Sequence, residues 1–189
     1  MIKIKYFILS NKVLSFALRN IDMSITKSDR PALILIDIQI GFEDIEWHCS
    51  SIPTSLLHES NPGNEFNELV TPWEGEPIIK KNVNSAFIGT GLQAQLDNAR
   101  ITKLVIAGLT TDHCISTTTR MAGNLGYDTY LVSDATATFN KKGLRGQNYP
   151  AELIHETALA SLNEEFASIV TTRFIKNIFQ IKLPINLTS

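Results

Sequence analysis

KLVIAGLTTDHCISTTTRMAGNLGYDTYLVSD, residues 103–134, decides how the chain folds. KLVIAG (103–108) is apolar on both alternating faces and closes on glycine, as a strand buried on both sides requires. Residues 113–125 then place Ile115, Thr118, Met121, Ala122 and Leu125 on one helical face, with Gly126 positioned as the C-cap. DTYLVSD (128–134) reads as the next strand. Strand, helix and strand in direct succession form a crossover between parallel neighbours.

The same alternation extends in both directions. ALILID (32–37) is another continuous apolar run ending in an acid, and EPIIKK (76–81) is a shorter one ending in charge. Thr90 can cap a helix carrying Leu92, Leu96 and Ala99. Pro150 suits the N1 position of AELIHETALASLNEEF, and SIVTT (168–172) closes the series as a short strand. The expected architecture is α/β, a three-layer α/β/α domain with a mostly parallel central sheet, Rossmann-like. Function in such sheets gathers at the carboxyl ends of the strands. Residues 31–173 are expected to form that domain, with 1–30 an N-terminal extension open to disorder and 174–189 a C-terminal tail.

Composition narrows the function classes. The 189 residues suit one domain with a sizeable core, and 43% hydrophobic content with a net charge of −2 describes an ordinary globular chain. No basic surface for nucleic acid is expected, and no apolar run is long enough to span a bilayer. Cys49 and Cys114 form no metal-binding pattern, and reduced thiols in a cytoplasmic setting are favoured over a disulfide. The start of the chain carries Lys3, Lys5, Lys12 and Arg19 with no acid before Asp22, a weak likeness to an organellar presequence. A poorly packed extension ranks ahead of that reading.

Three groups stand just past strand ends. Cys114 lies at the start of a helix, where the dipole and free N–H groups lower a thiol pKa. Asp37 could take its proton, and Lys81 could orient the carboxylate and stabilise a thiolate. Each has a plain alternative: a core cysteine, a turn-capping acid, a solvated lysine.

The wording of the segments adds to this. LILIDIQIGF, KKNVNSAFIGTGL and LVIAGLTTDHCISTTTRMAGNLGYDTYLVSDATATF together resemble the isochorismatase-like cysteine hydrolase superfamily, and the resemblance runs on through IHETALASLNEEFASIVTT. Its marks are D-x-Q-x-x-F after the first strand, a lysine four residues before S-A-F, and G-x-x-T-x-x-C before the helix. The resemblance implies that Asp37 is the catalytic acid and base, Lys81 (not Lys80) the catalytic lysine, and Cys114 the nucleophile that forms a thioester-like intermediate. It also implies a non-proline cis peptide between Leu109 and Thr110, turning the Thr110 N–H toward the same point as that of Cys114 to form an oxyanion hole. Phe42 and Phe87 would line the substrate pocket, Phe87 serving equally well as core. His113 is expected to position or line the pocket rather than form a dyad with the cysteine, because adjacent residues at a helix start point apart. Gln39 is expected to support the loop around Asp37, and Asp134 to anchor the loop that follows it. The nicotinamidase branch holds a metal with an Asp-x-His and a further His; His48 and His58 are present but no D-x-H occurs, so neither metal nor cofactor is expected.

One departure from the family pattern stands out. Residues 46–75 are rich in Ser, Pro, Asn and Glu and carry no helix-plus-strand pattern, where the family has one. Two family segments are joined directly at Trp47–His48, a loss of about one βα unit. Either the sheet closes with fewer strands, or the N-terminal segment IKYFIL fills the gap, or the fold is compromised. The expected activity is hydrolysis of a small-molecule substrate, with amide-type C–N cleavage favoured over isochorismate cleavage, which needs no covalent step. NVNSAF also departs from the R-Y/W-S-A-F of isochorismatases. The alternative is an impaired relative acting as a binding or assembly module, and homo-oligomers are expected in either case.

Overall fold

The computed structural model describes residues 2–8, 31–42 and 54–178, with backbone only for 2–8 and Phe42. Trp47, His48 and Cys49 lie outside the described residues. The central sheet has six strands: β1 (Ile2–Ile8), β2 (Ala32–Ile36), β3 (Ile78–Lys81), β4 (Lys103–Leu109), β5 (Asp128–Ala137) and β8 (Ser168–Val170), in the order β3-β1-β2-β4-β5-β8. Five run in one direction and β1 alone runs against them. Lys141–Lys142 (β6) and Asn148–Tyr149 (β7) make a separate small hairpin.

The helices are α1 (Leu92–Asn98), α2 (Ser116–Asn124), α3 (Ala151–Ala160) and α4 (Thr172–Ile178). Alternation along the strands sorts the core into two faces. Ile34, Ile36, Leu104, Ile106 and Leu131 pack with Leu92 and Leu96 of α1 and Ala122 of α2. Leu33, Leu35, Val105, Ala107 and Val132 face the other way and meet Ile175 of α4. Helices therefore flank a mostly parallel sheet, the expected layering.

Several elements differ from their sequence readings. Residues 2–8, assigned from sequence to an extension, are a strand inside the sheet, with Ile4 pairing both Ile36 of β2 and Ile79 of β3. An antiparallel strand can enter such a slot without a crossover helix. α4 runs into the supposed tail and buries Ile175. Pro150, with ψ 150, is the N-cap rather than N1, and Asn140 Oδ1 accepts the Ala151 N–H at 2.8 Å. α3 stops at Ala160, short of the expected Phe166, and Ala99 is exposed beyond α1. Asp134 anchors a more distant segment than expected: its carboxylate accepts the Thr172 N–H and hydroxyl at 2.7 and 2.8 Å, at the start of α4.

Residues 54–75 contain only short 3-10 turns, at Pro62–Asn64 and Glu68–Val70. Buried Asn64 donates to the Leu57 carbonyl at 2.7 Å, and Leu57 is itself buried, so the segment is compact without a regular element.

Gly108 ties β4 to β2. Its φ is +125°, and a Cβ there would lie 2.0 Å from the Ile36 carbonyl oxygen. Backbone cannot swing aside as a side chain can. Gly108→Ala is expected to cost about 3 kcal/mol or more, read as a lower urea midpoint. An unchanged midpoint would show that the two strands have slack.

Candidate active site

The carboxyl ends of β2 and β3 and the turn after β4 meet at one point. Asp37 follows β2 with φ +53°, a left-handed conformation that takes it out of the strand's alternation. β3 alternates exposed and buried, so Lys80 faces outward while the Lys81 side chain is fully buried. Strands lie about 4.8 Å apart, so β3 stands roughly 10 Å from β2 across β1. Ile4 sets Ile79 level with Ile36, which puts Lys81 beyond the end of β2. A long side chain is what crosses that interval to Asp37.

The Lys81 ammonium has three N–H groups and three partners: Asp37 Oδ2 at 3.0 Å, Cys114 Sγ at 3.1 Å and the Val83 carbonyl at 3.3 Å. Its direction is fully constrained. Burial pushes the Asp37 carboxyl up to about 6, with Lys81 and the thiol holding it from rising further. Burial and then the Asp37 charge push the Cys114 thiol up to about 12, against the pull of Lys81. The direction is opposite to the lowering expected from the helix start, because burial and the Asp37 charge both act against the thiolate. Asp37 and Cys114 are themselves within side-chain hydrogen-bonding reach.

The turn carrying Cys114 begins differently from the helix expected over 113–125. Thr111–Ile115 is a π turn running into α2, with the Thr110 carbonyl accepting the His113 and Ile115 N–H groups at 3.0 and 3.2 Å. The Leu109–Thr110 peptide is cis, and Thr110 and Cys114 are both buried. Behind the turn, the buried Thr111 hydroxyl pairs with His155 Nδ1 at 2.8 Å. A cleft of about 290 Å³ lies there between the end of β5 and α3, lined by Thr138, Glu152 and His155 among others but by none of Asp37, Lys81 and Cys114.

His113 does not face the thiol. Its Nε2 lies 2.9 Å from Lys141 Nζ and 3.6 Å from Asp112, and burial lowers its pKa. Asp112 also pairs with Lys141 and accepts the Thr138 hydroxyl; against the effect of burial, these two hold its carboxyl below the usual range. Phe87 packs in the core and stacks on Tyr127 with ring centres 5.8 Å apart. The Phe42 side chain lies outside what is described. Sequence reasoning missed Asn84, whose Oδ1 is 3.9 Å from the thiol, and the Asp112–Lys141 tie. Asn84 lies within the quoted NVNSAF; the Lys141 contact has no local signal. Among the described residues no group of three or more His, Cys, Asp and Glu converges, and no helix is long and apolar enough to cross a membrane.

Comparison with known proteins matches residues 51–174 to the isochorismatase domain model, a span that holds Lys81 and Cys114. The chain belongs to the isochorismatase-like hydrolase superfamily. Within it, an uncharacterized isochorismatase family protein of Bacillus subtilis, YrdC, is 44% identical over 184 residues, covering 80% of this chain and 97% of the relative. That alignment is longer than the part of this chain it uses, so residues of the relative amounting in total to about one βα unit have no counterpart here. The N-carbamoylsarcosine amidase of an Arthrobacter species is 33% identical over 91 residues, 48% of this chain and 34% of that protein. The crystal structure of an isochorismatase-family protein from Chromobacterium violaceum superposes with a TM-score of 0.71 at 29% identity, over 76% of this chain and 90% of that one. The chain is thus an isochorismatase-family hydrolase; Asp37 lies outside the matched span and touches Lys81 within it.

Proposed function

We propose that this isochorismatase-family hydrolase cleaves a C–N bond in a small amide or ureido substrate, using Cys114 as nucleophile, Asp37 as acid and base, and Lys81 to orient both. The observation that carries the reading is the buried ammonium of Lys81 bonded at once to the carboxylate and the sulfur. Cys114 Sγ attacks the carbonyl carbon as its proton passes to Asp37, and the carbonyl π pair moves onto oxygen. The N–H groups of Thr110 and Cys114 receive that oxyanion. Collapse expels the nitrogen, which takes the proton from Asp37, and leaves a thioester. Water then attacks with Asp37 as base, and the acid departs with the thiol restored.

The N-carbamoylsarcosine amidase relative favours this bond type. A screen of nicotinamide, benzamide and N-carbamoylsarcosine, with ammonia release as readout, tests it; ammonia from none of the three would overturn the amide reading. The pH profile tests the mechanism. With the Asp37 carboxyl pushed up to about 6, kcat/KM is expected to fall about tenfold per pH unit below 6 and to stay level above it. Asp37→Asn should abolish that limb and reduce the rate at least 10²-fold. The linked stability has the opposite trend. The native carboxyl holds its proton more tightly than the unfolded chain's, so its contribution is present below about pH 4 and lost as pH rises through 6.

The missing βα unit favours a second reading, an impaired member acting as a binding or assembly module. Substrate binding without turnover, by a protein that melts cooperatively, would support it.

A further inference from the structure

The segment just past β2 carries buried polar atoms that the fold does not use. Gln39 is 2% exposed, and neither its Oε1 nor its Nε2 has a hydrogen-bond partner; two residues earlier, Asp37 Oδ1 is also unpaired while Oδ2 holds Lys81. The expectation that Gln39 supports the Asp37 loop is therefore not met by its side chain. Backbone contacts hold that loop instead. Ile40 N–H donates to the Glu65 carbonyl at 2.9 Å, Asn67 N–H donates to that of Ile38 at 3.1 Å, and Gln39 forms an antiparallel bridge with Phe66. A Cβ on Gly41 would lie 2.9 Å from the Gly63 carbonyl oxygen, so the two segments are in close contact.

An amide held in such a place destabilises the resting protein, because it has lost water and gained nothing. Methionine would fill nearly the same volume without polar atoms. An unsatisfied amide at the carboxyl end of β2, on the same short segment as the catalytic carboxylate, is suited to a ligand. We propose that Gln39 is a substrate-recognition residue, its planar set of one acceptor and two donors pairing with the N–H and C=O of a carboxamide or ureido group. This rests on the amide reading above and adds to it which residue selects that group.

The test is Gln39→Met, measured in two ways. Melting needs no substrate: the midpoint is expected to rise by ~2–4 °C, since an unpaired polar group is removed. Kinetics on benzamide and methyl benzoate, which share an acyl group, should show kcat/KM falling at least tenfold on the amide, chiefly through KM, and less than threefold on the ester. A lower melting midpoint, or equal losses on both substrates, would overturn the Gln39 assignment alone. Wild-type protein that cleaves the ester but not the amide overturns the amide reading and this proposal with it, and inertness toward both does the same.

Discussion

Cys114→Ala is expected to retain less than about 10⁻⁴ of wild-type hydrolysis on any amide the protein cleaves, while its melting midpoint changes by only a few degrees. The asymmetry follows from the geometry. Without sulfur there is no atom to form the acyl bond, yet Lys81 keeps Asp37 and the Val83 carbonyl as partners and stays satisfied. Cys114→Ser is the sharper variant, because it keeps an acceptor for Lys81. It should still lose at least about 10³, because a hydroxyl is far harder for a carboxylate near pH 6 to deprotonate than even a thiol pushed up to about 12. Mass spectrometry of acid-quenched wild-type enzyme should find the acyl group on Cys114, labile to hydroxylamine. Either variant working within tenfold of wild type would remove Cys114 from the mechanism.

The second large effect concerns the other end of the chain. Ile4→Pro is expected to cost about 3 kcal/mol or more and to abolish activity along with it. β1 is an inner strand, and Ile4 pairs on both sides, with Ile36 and with Ile79. β3 stands at the sheet edge with β1 as its one neighbour in the sheet, so the strand carrying Lys81 is held to the domain through residues 2–8. A proline there removes a ladder donor and forces its ring into the pairing. Against a typical domain stability of about 5–15 kcal/mol the loss is severe. Urea titration and activity should fall together. A variant that stays active and unfolds as wild type does would show that β3 is held by something other than β1.

Much of the site was legible locally. The choice of Lys81 over Lys80 follows from its spacing to Ser85, and strand alternation buries the same residue. The apolar runs at 32–37 and 103–108 mark parallel strands because burial on both faces leaves no room for polar residues. Cys114 and Thr110 come together within one turn, so five residues of sequence suffice to juxtapose them. Other assignments failed where the answer depends on distant chain. Pro150 becomes a cap, with Asn140 supplying the acceptor for Ala151.

By itself, then, the sequence determined the alternating elements and the family, and it named the three groups that the structure brings together. The elements are written in short-range periodicity, and the three groups follow from the motifs that carry the family resemblance. Only the tertiary structure decided that the thiol's pKa rises instead of falling, since desolvation depends on everything packed around Cys114. It alone placed IKIKYFI between β2 and β3, because a strand's pattern states that it will pair but not with which edges. And it alone left Gln39 without a partner, a fact that exists only once every neighbouring donor and acceptor has taken its place.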